Sequence, residues 1–156
     1  MLAYLPTFQR NRTAQGAKTG KISDMSKNSA PTVLVVDDEA LIRWSLSEAL
    51  GEQGYAVSEA GSAKAALEAI ERAAQPFDVI LLDYRLPDSA DLRLLAKLRE
   101  LAPAAQVIMI TAHNSPELAQ VAAALGAFRV ISKPFEMESL AALVNEARRA
   151  EQKTHT

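Results

Sequence analysis

Val33-Leu34-Val35-Val36-Asp37-Asp38-Glu39 is the stretch on which the reading of this chain turns. Four apolar residues, three of them β-branched, end abruptly in three acids. A half-exposed strand would alternate apolar and polar positions. An unbroken apolar run fits a central parallel strand buried on both faces. The acids then fall where an open α/β sheet keeps its ligand crevice, outside the carboxyl end of the strand. The plainer alternative is that Asp37 or Asp38 caps the helix that follows.

Outward from this stretch a strand–helix rhythm repeats. Val33–Val36 is strand one, and Ala40–Leu50 is helix one, with Ile42, Leu46, Ala49 and Leu50 on one face. Gly51 and Gly54 stop that helix. Tyr55–Ser58 reads as strand two. Ser62 caps helix two, Ala63–Ala74, with Pro76 beyond it. Val79–Leu82 is strand three, ending at Asp83. Asp91 or Ser89 caps helix three, which runs to about Leu101. Val107–Ile110 is strand four, ending at Thr111. Ser115-Pro116-Glu117 opens helix four with a cap, a first-turn proline and a first-turn acid, and Gly126 closes it. Phe128–Ile131 is strand five, ending at Ser132-Lys133-Pro134. Helix five runs from Met137 to Ala150, with Arg148 and Arg149 near its negative end. Five strands alternating with five helices predict a doubly wound α/β fold, a five-stranded parallel sheet covered on both faces.

Composition narrows the classes. Hydrophobic residues make up 49% of the 156, enough to fill a core. There is no cysteine, which excludes disulfides and thiolate metal sites. No apolar run is long enough to span a membrane, and the start, MLAYLPTF, lacks the charged region of a signal peptide, so a cytoplasmic protein is expected. Residues 1–30 carry five basic residues and one acid; the rest carries 12 basic and 18 acidic. The acidic body argues against nucleic-acid binding. The basic leader is expected to be disordered, and Met25 is an alternative start. Residues 31–151 form the expected domain, and 152–156 a frayed tail.

All strands of a parallel sheet end at the same edge. Four of the five end here in a chemically useful residue: Asp37 with Asp38, then Asp83, Thr111 and Lys133. Three crowded carboxylates resist full ionisation. A hard divalent cation relieves this, and Mg²⁺ suits carboxylates plus phosphate oxygens. Lys133 adds a positive point charge and Thr111 a hydroxyl donor. An aspartyl nucleophile, Mg²⁺, Lys and Thr are the parts required for phosphoryl transfer to a carboxylate.

The motifs VLVVDDE, VILLDYRLPD, VIMITA and ISKPF, in this order, resemble the receiver domain of bacterial two-component response regulators. The resemblance covers Pro31 to about Glu151. It implies the flavodoxin-like (βα)5 fold with strand order 2-1-3-4-5. It implies that Asp83 is the phosphoacceptor, that Asp37, Asp38, Asp83 and the backbone carbonyl of Tyr84 hold Mg²⁺, and that Thr111 and Lys133 bind phosphoryl oxygens. It also implies a cis Lys133-Pro134 peptide. The donor would be a histidine kinase or phosphotransfer protein, and output would pass through the face made by helix four, strand five and helix five. DEALIRWSL and GAF are similar to receivers of nitrogen-regulation-type enhancer-binding regulators. The chain stops after helix five, which reads as a stand-alone receiver.

Three departures from the family pattern stand out. Val130 occupies the place of the usual switch aromatic, with Phe128 as a partial substitute if strand period brings it to the same face. The loop Pro87-Asp88-Ser89-Ala90-Asp91-Leu92 lacks the usual glycines. Arg85 and His113 border the site, as candidates to tune hydrolysis or as solvated surface groups. Thr111 and Val130 together mark the switch region. On helix one a second stripe, Leu41, Trp44, Ser45 and Glu48, is not needed for the sheet and is a candidate kinase-docking face. Competing readings are a receiver-like scaffold that is not phosphorylated and an aspartyl phosphatase. The phosphatase is disfavoured because its nucleophile follows strand one, where this chain places an acid pair. No G-x-G-x-x-G follows strand one, which leaves a dinucleotide site unsupported. The expected activity is limited to self-catalysed phosphorylation and dephosphorylation of Asp83, with no separate substrate turned over.

Overall fold

The strand that opens the sequence argument is β1, Thr32–Val36, and its last four residues are buried. In chain order there follow α1 (Ala40–Glu52), β2 (Ala56–Ala60), α2 (Ala63–Arg72), β3 (Val79–Asp83), α3 (Arg93–Leu101), β4 (Gln106–Thr111), α4 (Pro116–Ala124), β5 (Ala127–Ser132) and α5 (Met137–Thr154). These come from a computed structural model, which describes residues 29–154, with side chains to residue 150. The expected leader lies almost wholly outside the described residues.

All neighbouring strands pair in parallel, in the order β2-β1-β3-β4-β5. Period-two alternation sorts the central strands between two cores. Leu34, Val36, Ile80, Leu82, Val107 and Met109 point to one side, against Ala66 of α2, Leu95 and Leu98 of α3 and Ala122 of α4. Val33, Val35, Val79, Leu81, Ile108 and Ile110 point to the other, against Leu46 and Leu50 of α1 and Leu140 and Val144 of α5. An unbroken apolar run was the correct signature because neither face of these strands meets water.

Local chemistry sets the helix ends. Ser62 accepts the Ala65 amide at 3.1 Å, and Ser115 accepts the Leu118 amide at 3.1 Å with Pro116 at the first turn. Gly126 has φ +103°, a conformation that strains any residue with a side chain, and a Cβ there would also press on Arg99 Nε at 2.8 Å.

The structure departs from the sequence reading in several places. Strand β2 begins at Ala56, not Tyr55; Tyr55 is buried just ahead of the strand, its amide on the Leu50 carbonyl. Helix α3 starts at Arg93 without a side-chain cap on Leu92. Asp91 does accept the Arg93 amide at 2.9 Å, whereas the Ser89 backbone is taken up in a short bridge with Leu86. Helix α5 continues to Thr154, through part of the stretch expected to fray. The β4–β5 register shifts between Val107 and Ile108, leaving Phe128 as the unpaired extra residue. The bulge sends Phe128 to the α1/α5 side with Ile131, while Val130 packs on the opposite core. Phe128 therefore does not stand in for an aromatic at position 130.

Candidate functional site

The carboxyl ends of β1, β3, β4 and β5 deliver the expected groups to one edge. Asp37 and Asp83 are buried at 2% and 6% exposure, and Thr111 is buried beside them. Asp38 is exposed, at the rim. Carboxylate oxygens of Asp37, Asp38 and Asp83 lie within 4.8 Å of one another. Lys133 reaches in from the end of β5, with Nζ 3.3 Å from Asp83 Oδ2, 3.4 Å from Asp37 Oδ2 and 3.8 Å from Glu39 Oε1. Its own amide donates to the Thr111 carbonyl at 2.8 Å, and the Lys133-Pro134 peptide is cis.

Main-chain bonds complete the frame. Asp37 Oδ1 accepts the Glu39 amide at 2.9 Å, which is as far as the helix-capping alternative goes; α1 has no side-chain cap on its N-cap residue, Glu39. Asp83 Oδ1 accepts the Arg85 amide at 3.3 Å. The Tyr84 amide donates to the Ile110 carbonyl at 2.8 Å, tying the residue after Asp83 to β4. Thr111 Oγ1 accepts the His113 amide at 3.2 Å. The loop after β3 is held at a distance by Asp88, whose carboxylate takes the Ala63 and Lys64 amides at 2.8 and 3.0 Å, at the start of α2. Those two bonds hold the Asp88 carboxyl below the usual range. Where glycines are common in the family pattern, this loop therefore has an anchoring acid.

Electrostatics follow from the crowding. Burial, and then the neighbouring Asp37 charge, push the Asp83 carboxyl above its ordinary value; the Arg85 amide and Lys133 only partly offset this. Burial disfavours the charge on Lys133, but Asp37 and Asp83 together push it above the ordinary lysine value. One ammonium does not balance three carboxylates, so the edge retains excess negative charge beside an open cleft of about 450 Å³. Arg85 and His113 both line that cleft with Asp83, Thr111 and Lys133. The donors are all hard oxygens, partly buried and close together, and this set fits Mg²⁺.

The stripe expected on α1 lies away from the core: Leu41 is 72% and Trp44 58% exposed, Glu48 is exposed and Ser45 half-buried. No described helix is long and apolar enough to cross a membrane. One residue at the site escaped the sequence reading. Arg43 of α1 donates from Nη1 to the Asp37 backbone carbonyl at 2.6 Å. Its only sequence signal is its place one turn beyond the acid pair, a spacing shared with many surface arginines.

Comparison with known proteins gives one consistent result. The response regulator receiver domain family matches residues 33–145. The DNA-binding transcriptional regulator NtrC of Escherichia coli K12 is 37% identical over 115 residues, covering 74% of this chain and 24% of that protein. The response regulator protein PilR of Pseudomonas aeruginosa is 38% identical over 125 residues, covering 80% of this chain and 27% of that protein. This chain thus spans about a quarter of the length of these curated relatives. A CheY-like receiver domain protein from Methanospirillum hungatei superposes with a TM-score of 0.75 at 32% identity, covering 81% of this chain and 99% of that one. NtrX from Brucella abortus superposes with a TM-score of 0.71 at 32% identity, covering 81% of this chain and 28% of that one.

Proposed function

The chain belongs to the response regulator receiver domain family, and from that premise we propose that it accepts a phosphoryl group on Asp83 in a Mg²⁺-dependent reaction and signals through protein contacts. The donor is a histidine kinase or phosphotransfer protein of a bacterial cytoplasm. The observation that carries this reading is the meeting of Lys133 Nζ with Asp83 and Asp37 at 3.3 and 3.4 Å, at the mouth of the cleft.

An Asp83 carboxylate oxygen attacks phosphorus, forming an O–P bond as the bond from phosphorus to the donor atom breaks. The departing group keeps the electron pair and takes its proton from solvent. Asp37, Asp38, Asp83 and the Tyr84 carbonyl would hold Mg²⁺, which supplies neutralisation of charge on the phosphoryl oxygens. Lys133 leaves its carboxylate partners to follow an incoming oxygen, and the Thr111 hydroxyl donates to another. With Val130 in the aromatic's place, the shift passes through Thr111 and the loop before α4 to the α4–β5–α5 face. A Thr111→Ala protein that is phosphorylated yet still binds its partner in a phosphorylation-dependent way would overturn that route. The Leu41, Trp44, Ser45 and Glu48 stripe, beside the acid pair, is the docking face for the kinase. Its mark is a Trp44→Ala protein slowed with the kinase and unchanged with a small phosphodonor.

Intact mass spectrometry after treatment with a small phosphodonor and Mg²⁺ tests the central reading. One added phosphoryl group is expected on the wild type and none on Asp83→Asn. Undiminished labelling of the variant moves the acceptor elsewhere. An unlabelled wild type favours the second reading, a receiver-like scaffold, for which the specific observation is the small Val130.

A further inference from the structure

The main chain of Asp37 is held at both its amide and its carbonyl. The Asp37 amide donates to the Ala60 carbonyl, at the end of β2, at 3.0 Å. The Asp37 carbonyl accepts Arg43 Nη1 at 2.6 Å. That guanidinium is itself anchored: Arg43 Nε lies 3.2 Å from Glu59 Oε1, and Glu59 Oε2 accepts the Ser47 hydroxyl at 2.9 Å. The Arg43 side chain is only 21% exposed and rests on Gly61, where an added Cβ would come within 3.1 Å of Nη1. A carboxylate, braced by a hydroxyl, and a bare glycine thus hold the arginine whose Nη1 meets one carbonyl. That carbonyl belongs to the peptide plane from which the Asp38 carboxylate is carried.

We propose that Arg43 is a positioning residue of the acidic site: by fixing the Asp37–Asp38 peptide it sets the two carboxylates for Mg²⁺. The inference rests on the metal-dependent reading above and adds a residue to it. A carboxylate on a freely rotating peptide must be ordered when the cation binds, and that ordering weakens affinity. Arg43 does the ordering beforehand, through a charge-assisted bond to an acceptor with no charge of its own.

The sign of the effect separates positioning from mere proximity of charge. Arg43 is a cation bonded to the main chain of Asp37. If its charge alone mattered, its removal would tighten Mg²⁺ binding, because repulsion of the incoming cation would fall. If it positions the peptide, removal loosens binding despite that gain. Arg43→Met keeps the apolar stem, and Arg43→Lys keeps the charge without the fork. Gly61→Ala changes no charge and crowds the guanidinium from its other side.

Calorimetric Mg²⁺ titration of the full chain and these variants is the test, with circular dichroism melting in EDTA as the control for folding. Arg43→Met is expected to weaken Mg²⁺ binding about tenfold, and Arg43→Lys and Gly61→Ala by smaller factors in the same direction. Unchanged or tighter binding in Arg43→Met would overturn the inference while leaving the site intact. If Arg43→Met melts in EDTA before the titration temperature, Gly61→Ala decides: weaker Mg²⁺ binding supports the inference, and wild-type affinity overturns it. A wild type that binds no Mg²⁺ instead overturns the metal-dependent reading itself.

Discussion

Strands β3 and β5 each contribute one half of the Asp83–Lys133 pair, yet they are built in opposite ways. Every residue of β3 is buried, and none of β5 reaches that class. β3 lies at the centre of the sheet between β1 and β4, in unbroken register with both. β5 is an edge strand with a bulge and pairs only with β4. The acid thus stands at the end of a fully buried central strand. The lysine follows a partly exposed edge strand. For the switch proposed above, this division would supply a fixed point of reaction and a deformable edge to read it.

The contrast is sharpest in stability. Ile80→Ala in β3 removes a side chain with no exposed surface and is expected to cost about 3 kcal/mol. Val130→Ala in β5 removes a half-buried one, and about 1 kcal/mol is expected. Urea unfolding of both variants with the same slope as wild type is the measurement. Equal costs would mean that β5 is as tightly packed as the centre, and the division would fail.

The two ends of the charge pair should differ in sign. Asp83 has its carboxyl pushed up, so the folded protein favours its protonated form. Its contribution to stability is fully present below the unfolded value of 3.8 and is lost as pH rises through the raised folded value. Asp83→Asn removes that loss and is expected to stabilise the protein in EDTA near neutral pH, with no gain in strong acid. Lys133→Met leaves buried acids without their cation and is expected to destabilise by about 1–2 kcal/mol under the same conditions. Thermal melts in EDTA across pH check both. A destabilised Asp83→Asn at neutral pH would show that the lysine more than offsets burial and Asp37.

The same division explains what could be read in the sequence. Val33–Val36, Val79–Leu82 and Val107–Ile110 announce themselves because burial on both faces leaves only apolar choices. With these strands placed, parallel order put Asp37, Asp83 and Thr111 at one edge without further information. The edges are less legible. β2, AVSEA, is mostly exposed, so the buried Tyr55 drew the boundary one residue early and Glu59 and Ala60 were missed as strand. The bulge at Phe128 reverses which face an aromatic occupies, and period two cannot foresee an inserted residue. Contacts between segments distant in sequence leave no local trace. Asp88 binds amides 24 and 25 residues away, and Arg43 meets Glu59 across 16.

The smallest effect tests the edge itself. Arg129 of β5 pairs with Glu146 of α5 at 2.9 Å, with both side chains about half exposed, and its guanidinium lies 5.1 Å from the centre of the Phe128 ring. Water screens such a pair, and holding two long side chains costs entropy, so the ion pair contributes at most about 1 kcal/mol. The ring contact adds a similar small amount at an exposed site. Arg129→Ala is therefore expected to destabilise by about 0.5 kcal/mol, with a still smaller loss at high salt as screening removes the ionic part. Phosphodonor labelling of Asp83 should be unchanged, because Arg129 lies four residues before Lys133 and makes its contacts with α5 and Phe128. A melting shift as large as that of Ile80→Ala would show that the edge is locked to α5. In that case deformation at β5 would cost too much for this strand to carry a signal.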